Sequence, residues 1–481
     1  MNPGANSVGH GVNPVGNPEA TDRSAGSGPL SGSTVDVTII GAGPAGLMAA
    51  EQATAAGASV LVIEAGRLPG RKLLVAGRSG LNLTNTESAD RFRRRYGSAA
   101  EQLRPILDAF SVDDLRTWAS GLGVPTMVGT SGRVFPTAWR AAPLLRAWLA
   151  ALRAAGVELR TETSWEDIDD DGRVVIRQTD HVETISSRTT VLACGGASWP
   201  RTGSTGSWAD VLARRGVRSR PFGPANAGLT VAWSDHMRRF LGEPLKNIAL
   251  TVTSGTSGTS GTVTSGTATS GTATSGTSGT ATSGTVTSGT VTSGTSGRRS
   301  VRGDLVVVGT GLQGTPAYTV SSSVADAIGD DDLVELTIDL LPDLDVETVA
   351  ERIARRRSGE STANVLRRAL RLSPVAIAFV NEFGRAPSLG LDLARHLKAV
   401  PLRVTGTEGL DRAISTTGGL PWDALDDQLQ IRSMPSLFAA GEMIEWDAPT
   451  GGYLLHACLA TGAWAGRHAA AAALVGQDRS R

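Results

Sequence analysis

Val35-Asp36-Val37-Thr38-Ile39-Ile40 runs directly into Gly41-Ala42-Gly43-Pro44-Ala45-Gly46, and this junction decides the fold. A short, mostly β-branched apolar run reads as a buried strand, and the glycines after it read as a tight turn into a helix. The helical pattern holds from Pro44 to Ala56, Gly57 stops it, and Ser59-Val60-Leu61-Val62-Ile63-Glu64 is a second strand ending in an acid. Together they form a βαβ nucleotide-binding unit. Gly41 permits the turn, Gly43 lets the backbone approach a pyrophosphate, and Gly46 lets helix and strand touch. Pro44 and Ala45 open the helix, whose free N–H groups and positive dipole end suit phosphates. Glu64, followed by Ala65, falls roughly 20 residues past the first glycine, where a carboxylate accepts hydrogen bonds from an adenosine ribose and repels an NADP 2′-phosphate. The fingerprint alone does not separate FAD from NAD.

The rest of the chain bears on that choice. The stretch from Gly70 to Asn85 is crowded with donors. Arg71 and Lys72 can neutralise phosphate, and Asn82, Thr84 and Asn85 can contact the polar chain or ring edge of an extended cofactor, a solvated linker being the alternative. Far along the sequence, Ser436-Leu437-Phe438-Ala439-Ala440-Gly441-Glu442 reads as a buried strand ending at an acid, and Thr450-Gly451-Gly452 opens an Ala-rich helix from Tyr453 towards Ala473. Such a helix end can face a flavin ring where negative charge collects on reduction, or it can simply pack.

Length and composition narrow the field. At 481 residues the chain is sized for two or three domains, and its 46 basic and 46 acidic side chains cancel, which removes the electrostatic argument for a nucleic-acid or membrane-surface partner. The two cysteines, Cys194 and Cys458, form no CxxC pair, so neither a disulfide framework nor a metal site is expected, and a reducing cytoplasm is the default. No apolar run approaches the roughly 20 residues of a membrane-spanning helix. Residues 1–33 are Gly, Pro, Asn and Ser with almost no large apolar side chain and read as a disordered tail; residues 253–297 repeat TSG, TVTSG and TATSG units and read as a low-complexity insertion.

Seven stretches together resemble one family, the BaiN/YhiN-like FAD-dependent oxidoreductases, also labelled aminoacetone-oxidase-like FAD-binding enzymes. They are IIGAGPAGLMAA (39–50), GRKLLVAGRSGLNLTN (70–85), GRVFP (132–136), VLACGGASWPRTGS (191–204), PLKNIALTV (244–252), TTGGL (416–420) and AAGEMIEWDAPTGGYLLHA (439–457). The resemblance implies an α/β fold: a glutathione-reductase-type FAD-binding Rossmann domain built from both termini, with an inserted β-barrel-like domain and a small helical subdomain. It implies noncovalent FAD, with Gly41, Gly43, Gly46, Glu64, Arg71, Lys72, Asn82, Gly195, Gly441, Glu442, Gly452 and Tyr453 at the family's cofactor positions. Gly70, Thr84, Gly196, Gly451 and Leu454 adjoin those motifs and complete the expected cofactor set. The family pattern has Arg-Cys-Asn where this chain has Gly80-Leu81-Asn82, and Gly-Tyr-Asn-Leu where it has Gly452-Tyr453-Leu454-Leu455. The match is therefore closer to an uncharacterised flavoprotein subgroup, and FAD carries over better than any substrate.

The expected organisation is 34–199 and 401–474 for the FAD domain, 200–345 for the inserted β domain, 346–400 for the helical subdomain and 475–481 for a tail. A second glycine run, Gly309-Thr310-Gly311-Leu312-Gln313-Gly314, lacks a βαβ context and is read as a strand-to-helix corner facing the flavin rather than an NAD(P) site. Trp199 and Trp446 adjoin the flavin motifs and are candidates to line a pocket. His456 and Cys458 read as packed residues rather than acid, base or ligands, and no catalytic residue is assigned. The expected activity is transfer of a hydride or two electrons between FAD and a small organic substrate, with NAD(P)H as a candidate transient donor, in a monomer or homodimer. The alternatives are a flavoprotein acting on RNA and a non-catalytic flavin binder.

Overall fold

The computed structural model describes residues 34–77, 80–253, 291–293, 298–328, 333–384, 386–387 and 390–478. The tail expected over 1–33 and most of the Thr/Ser/Gly repeat lie outside the described residues.

Val35–Ile40 is buried at every position. A strand covered on both faces belongs inside a parallel sheet, and it does so here. Five parallel strands are ordered Leu437–Ala439, Ser187–Leu192, Val35–Ile40, Val60–Ile63, Glu158–Arg160. Ile39 stands opposite Val191 on one side and Val62 on the other, and Val191 in turn opposes Phe438. Two distant parts of the chain thus share one sheet and one apolar core, which includes Ile39, Leu47, Val62, Phe438 and Ala463.

The helices Pro44–Ala55 and Tyr453–Asp478 cross at close range because small residues meet there. A Cβ on Gly462 would lie 2.2 Å from the Ala45 carbonyl oxygen, and one on Gly466 would lie 2.3 Å from that of Ala49. Residues four apart share a helix face, so this is one groove rather than two accidents. The long helix runs to Asp478.

Residues 229–407 build a second, antiparallel sheet around their own core. The pairing path runs Val400–Val404, Val334–Asp339, Pro244–Thr253, Arg298–Val308, Gly311–Gln313, Leu229–Thr230, Gly406–Thr407, with Val291–Ser293 beside Arg298–Val308. Its first and last members are pieces of one stretch, 400–407, joined at Thr405, whose N–H donates to the Thr230 carbonyl. Thr253 pairs with Arg298, so the repeat joins the two strands of a hairpin. Val346–Ala354, Thr362–Ala369, Pro374–Val380 and Leu391–Lys398 are helices, with Asp345, Ser361 and Ser373 side chains capping the first three. They do not own a separate core: Val349, Phe379 and Leu397 pack with Leu250, Val301 and Leu336 of the sheet.

The second glycine run is no nucleotide turn: it makes a hairpin and then, at Gly314, the expected corner from the strand Gly311–Gln313 into the helix Thr315–Ile328, though it does not line the cavity described below. Val308 pairs with Gly311 and Val307 with Leu312, an antiparallel hairpin. A Cβ on Gly311 would sit 1.9 Å from the Leu229 carbonyl oxygen and one on Gly314 2.3 Å from that of Asp304, so these glycines serve strand packing.

Candidate functional site

At the carboxyl ends of the parallel strands lies a cavity of about 600 Å³, where open α/β sheets place their ligands. Its walls come from both halves of the chain: Gly41 and Gly43 to Ala45, Glu64 and Ala65, Gly70 to Leu73, Gly80 to Asn82, Cys194 and Gly195, Thr202 to Trp208, Ala440 to Glu442, and Thr450 to Leu455 in part.

The three fingerprint glycines behave differently, as their expected tasks require. Gly41 has φ 102°, and a Cβ there would approach the Ala193 carbonyl oxygen to 2.5 Å; a Cβ on Gly46 would approach that of Gly41 to 1.8 Å. Both are fixed by backbone proximity. Gly43 is extended, at φ −80° and ψ −179°, and a Cβ there would meet nothing within 4 Å, because it faces the cavity. The helix beginning at Pro44 has no acid in its first turn to compete for its N–H groups. Glu64 is oriented by the chain itself: Oε2 accepts from the Ala42 N–H at 2.9 Å and Oε1 from the Gly66 N–H at 2.7 Å.

Lys72 ties the halves together. Its Nζ donates to Glu442 Oε2 at 2.8 Å, across 370 residues, and to Ser198 Oγ at 2.6 Å. Arg71, exposed at the rim, donates to the Arg201 carbonyl. Gly441 has φ 79° and stands against Ala45, with its N–H on Thr461 Oγ1 at 3.0 Å. The helix start at Tyr453 is pressed on Thr84: a Cβ on Gly452 would lie 2.6 Å from Thr84 Cα and N.

Sixteen of the residues expected from sequence line the cavity, and four do not. Gly46 is under the turn, as stated. Thr84 is fully buried, its hydroxyl on His456 Nδ1 at 2.7 Å. Gly196 faces Thr416 Oγ1, which a Cβ would meet at 2.1 Å. Tyr453 turns away, its hydroxyl donating to Glu87 and its ring 5.0 Å from that of Phe92. Burial and the Glu87 carboxylate push the Tyr453 hydroxyl pKa up. Trp199 and Trp446 do not line the cavity either; Trp446 is buried with its Nε1 on the Gly441 carbonyl at 3.0 Å.

Missed by the sequence reading are Trp165, Trp208 and the loop from Thr202 to Ser207. Trp208 Nε1 donates to the Gly195 carbonyl at 2.8 Å, and Ser204 Oγ to that of Gly196 at 2.9 Å, which locks the loop onto the strand end. Gly203 and Gly206 both have positive φ, and that glycine spacing was the available signal.

Among the described residues, the two thiols of the cavity wall and the nearby imidazole are not set up as acid or base at neutral pH. Burial pushes the thiols of Cys194 and Cys458 up to about 12. His456 is held between Thr84 and Phe110. The Phe110 carbonyl can only accept, so Nε2 carries the proton at 2.8 Å and Nδ1 accepts from the Thr84 hydroxyl. Burial drives its pKa down to about 4, so the ring stays neutral. Asp447, outside the cavity wall, is raised by burial to about 7 despite bonds from the Ala448 N–H and Ser415 Oγ.

Fold and cavity together define a Rossmann-type FAD-dependent oxidoreductase. The chain belongs to the HI0933-like family: residues 35–468 match the HI0933-like protein Rossmann domain. It is 24% identical over 453 residues to the 3-dehydro-bile acid delta(4,6)-reductase of Clostridium scindens, covering 90% of this chain and 98% of the reductase. It is 24% identical over 435 residues to the ribosomal RNA dihydrouridine synthase of Escherichia coli, covering 87% of this chain and 94% of the synthase. Among solved structures it resembles a 3-ketosteroid-delta4-(5alpha)-dehydrogenase from Rhodococcus jostii RHA1, with 17% identity, TM-score 0.46 and coverage of 92% and 97% of the two chains. No helix among the described residues is long and apolar enough to cross a membrane.

The residues present fit FAD. Gly43 leaves open space where a pyrophosphate requires backbone contact, and Asn82 Oδ1 is buried on the cavity wall with no hydrogen-bond partner among the described residues, a cost that a bound donor removes.

Proposed function

We infer that this chain binds FAD noncovalently in the cavity and moves a hydride or two electrons between it and a small organic substrate. One observation carries the reading: two segments some 370 residues apart in sequence close on a single cavity whose only wholly unobstructed glycine, among the three of the fingerprint, is the one expected against pyrophosphate. In this reading Gly43, Pro44 and Ala45 take the phosphates, Glu64 the ribose, and Asn82 with Gly451, Gly452 and Leu454 the isoalloxazine end. Bound FAD would supply the two-electron chemistry. Lys72, fixed by Glu442 and Ser198, holds a positive charge at the cavity wall. Gly195, braced by Trp208, shapes the wall opposite, and the apolar lining excludes water.

Residues 229–407 support the expected barrel-like insertion, since the pairing path begins and ends on one stretch. NAD(P)H is the donor we favour. With the second glycine run folded as a hairpin, it would dock transiently at the flavin rather than in a Rossmann unit of its own. A cytoplasmic monomer or homodimer suits the two free thiols. The likeness to an RNA-modifying synthase keeps an RNA substrate as the second reading; zero net charge weighs against it.

The test is the visible spectrum of the purified protein with mass spectrometry of its released chromophore, followed by anaerobic stopped-flow bleaching with NADH or NADPH and reoxidation by enones. Folded protein that is colourless and takes up no added FAD ends the reading.

A further inference from the structure

The strand Arg133–Pro136 belongs to one of the family-like stretches, yet it has no part in the flavin site. Val134 and Pro136 are buried while Arg133 and Phe135 are half-exposed. Alternation therefore places Arg133 and Phe135 together on the face that leaves the core. Asn85 stands opposite Arg133, and Met127, itself exposed, stands opposite Phe135.

At one end of this face is an aromatic platform. Phe135 stacks on Trp139 with centroids 4.6 Å apart and planes 29° from parallel, and Trp139 is 46% exposed. Trp139 has φ 62°, a left-handed conformation that a bulky residue rarely adopts, held by the Leu81 N–H donating to its carbonyl at 2.7 Å. The platform adjoins the cavity: a Cβ on Gly80, part of the cavity wall, would lie 3.1 Å from Trp139 Cε3 and 3.7 Å from Phe135 Cε1. This is the position where the family pattern has arginine.

At the other end is unbalanced positive charge. The Arg133 guanidinium is desolvated, near Tyr453, and has no ion pair or side-chain hydrogen bond among the described residues. Arg299, from Arg298–Val308, is likewise unpaired and close enough to Arg95 for like-charge repulsion to lower its pKa beyond the effect of burial. Arg95 is neutralised by Glu87, with Nε at 2.8 Å and Nη2 at 2.9 Å from its two oxygens, and lies 5.6 Å over the Tyr453 ring. A chain of zero net charge leaves two guanidiniums desolvated and, among the described residues, unpaired here, at a cost that an anion offsets.

We propose that Arg133, Phe135 and Trp139 form the substrate-recognition face of the cavity mouth, taking a small molecule whose planar conjugated ring lies on the aromatic pair and whose carboxylate meets the Arg133 guanidinium. The face rests on the flavin reading only for its role as a substrate site; its ligand chemistry stands on its own residues.

The test titrates FAD-loaded protein with naphthylacrylate, its neutral amide and saturated cyclohexylpropanoate, following tryptophan fluorescence and the flavin spectrum. The acid should bind about tenfold or more tighter than the amide. Arg133→Gln should abolish that preference while leaving the amide unchanged, and Arg133→Lys should restore only part of it, having lost the planar fork. Trp139→Leu should weaken acid and amide by the same factor and leave cyclohexylpropanoate unaffected. Equal binding of acid and amide by the unaltered protein, or an unchanged ratio in Arg133→Gln, overturns the proposal. So does a single-stranded RNA oligonucleotide that displaces the acid at lower concentration in an Arg133-dependent way, since the face would then be an RNA contact. Flavin retained by every variant shows that a failure here is not a failure of the flavin reading.

Discussion

Replacing Gly43 with alanine separates cofactor binding from folding. The residue sits at φ −80° and ψ −179°, a conformation alanine adopts freely, and the added methyl meets nothing within 4 Å. The apoprotein should therefore keep its stability, or gain about 0.4–1 kcal/mol because alanine restricts the unfolded chain. The same methyl occupies the space where pyrophosphate would lie on the backbone, and FAD should bind at least roughly tenfold more weakly, a loss of about 1.4 kcal/mol. Urea unfolding with and without FAD reads both effects. At an FAD concentration about 100 times the Kd of the unaltered protein, the cofactor raises its stability by about 2.7 kcal/mol, and the variant should gain only about half of that. Gly41→Ala is the contrast: at φ 102° and 2.5 Å from the Ala193 carbonyl oxygen, its methyl should destabilise the apoprotein itself by about 2–4 kcal/mol. Equal stabilisation of the unaltered and Gly43→Ala proteins by FAD would refute the placement of the phosphates.

Other perturbations probe the supports of the site. Gly462→Ala should push apart the helices that cross at Ala45, costing about 1–3 kcal/mol in urea unfolding and weakening the quenching of added FAD. His456 ionises near 6.5 when unfolded but near 4 in the fold, so its contribution is present above pH 6.5 and lost as pH falls towards 4, about 3 kcal/mol in all. In His456→Leu that acid-limb dependence should flatten, which stability measured at pH 4.5 and 7 will decide. Asp447 behaves oppositely. Its carboxyl is raised to about 7, so the stability of its neutral form is present below 3.8 and lost as pH rises through 7, and Asp447→Asn should gain on the unaltered protein between pH 6 and 8.

The local parts of the site were legible because they depend on short-range geometry. Gly41, Gly43 and Gly46 announce a turn whose three glycines serve three different steric needs, and Glu64 follows at a spacing set by one helix and one strand. The second glycine run has the same spelling without the βαβ context, and its glycines answer another need, strand packing against Leu229 and Asp304. Trp165 and Trp208 were not legible, since each reaches the cavity only after a meander and a loop fold back on the sheet. Trp446 shows the converse: adjacency to a motif in sequence put it in the core, because its indole N–H was needed by the Gly441 carbonyl. Tyr453 sits at an expected cofactor position, yet its ring is drawn off by Glu87 and Phe92, partners that no local pattern announces.

The Lys72–Glu442 tie spans 370 positions, and it sets an order of events during synthesis. While a ribosome is still making the antiparallel insertion, the nucleotide-binding half has an open sheet edge at Ser187–Leu192 and lacks the cavity walls supplied by Ala440 to Glu442 and Thr450 to Leu455. On the proposed placement of FAD, the cavity that would take it is complete only once translation has passed Leu455, and a stalled or truncated nascent chain would expose the unpaired strand edge to chaperones and proteases.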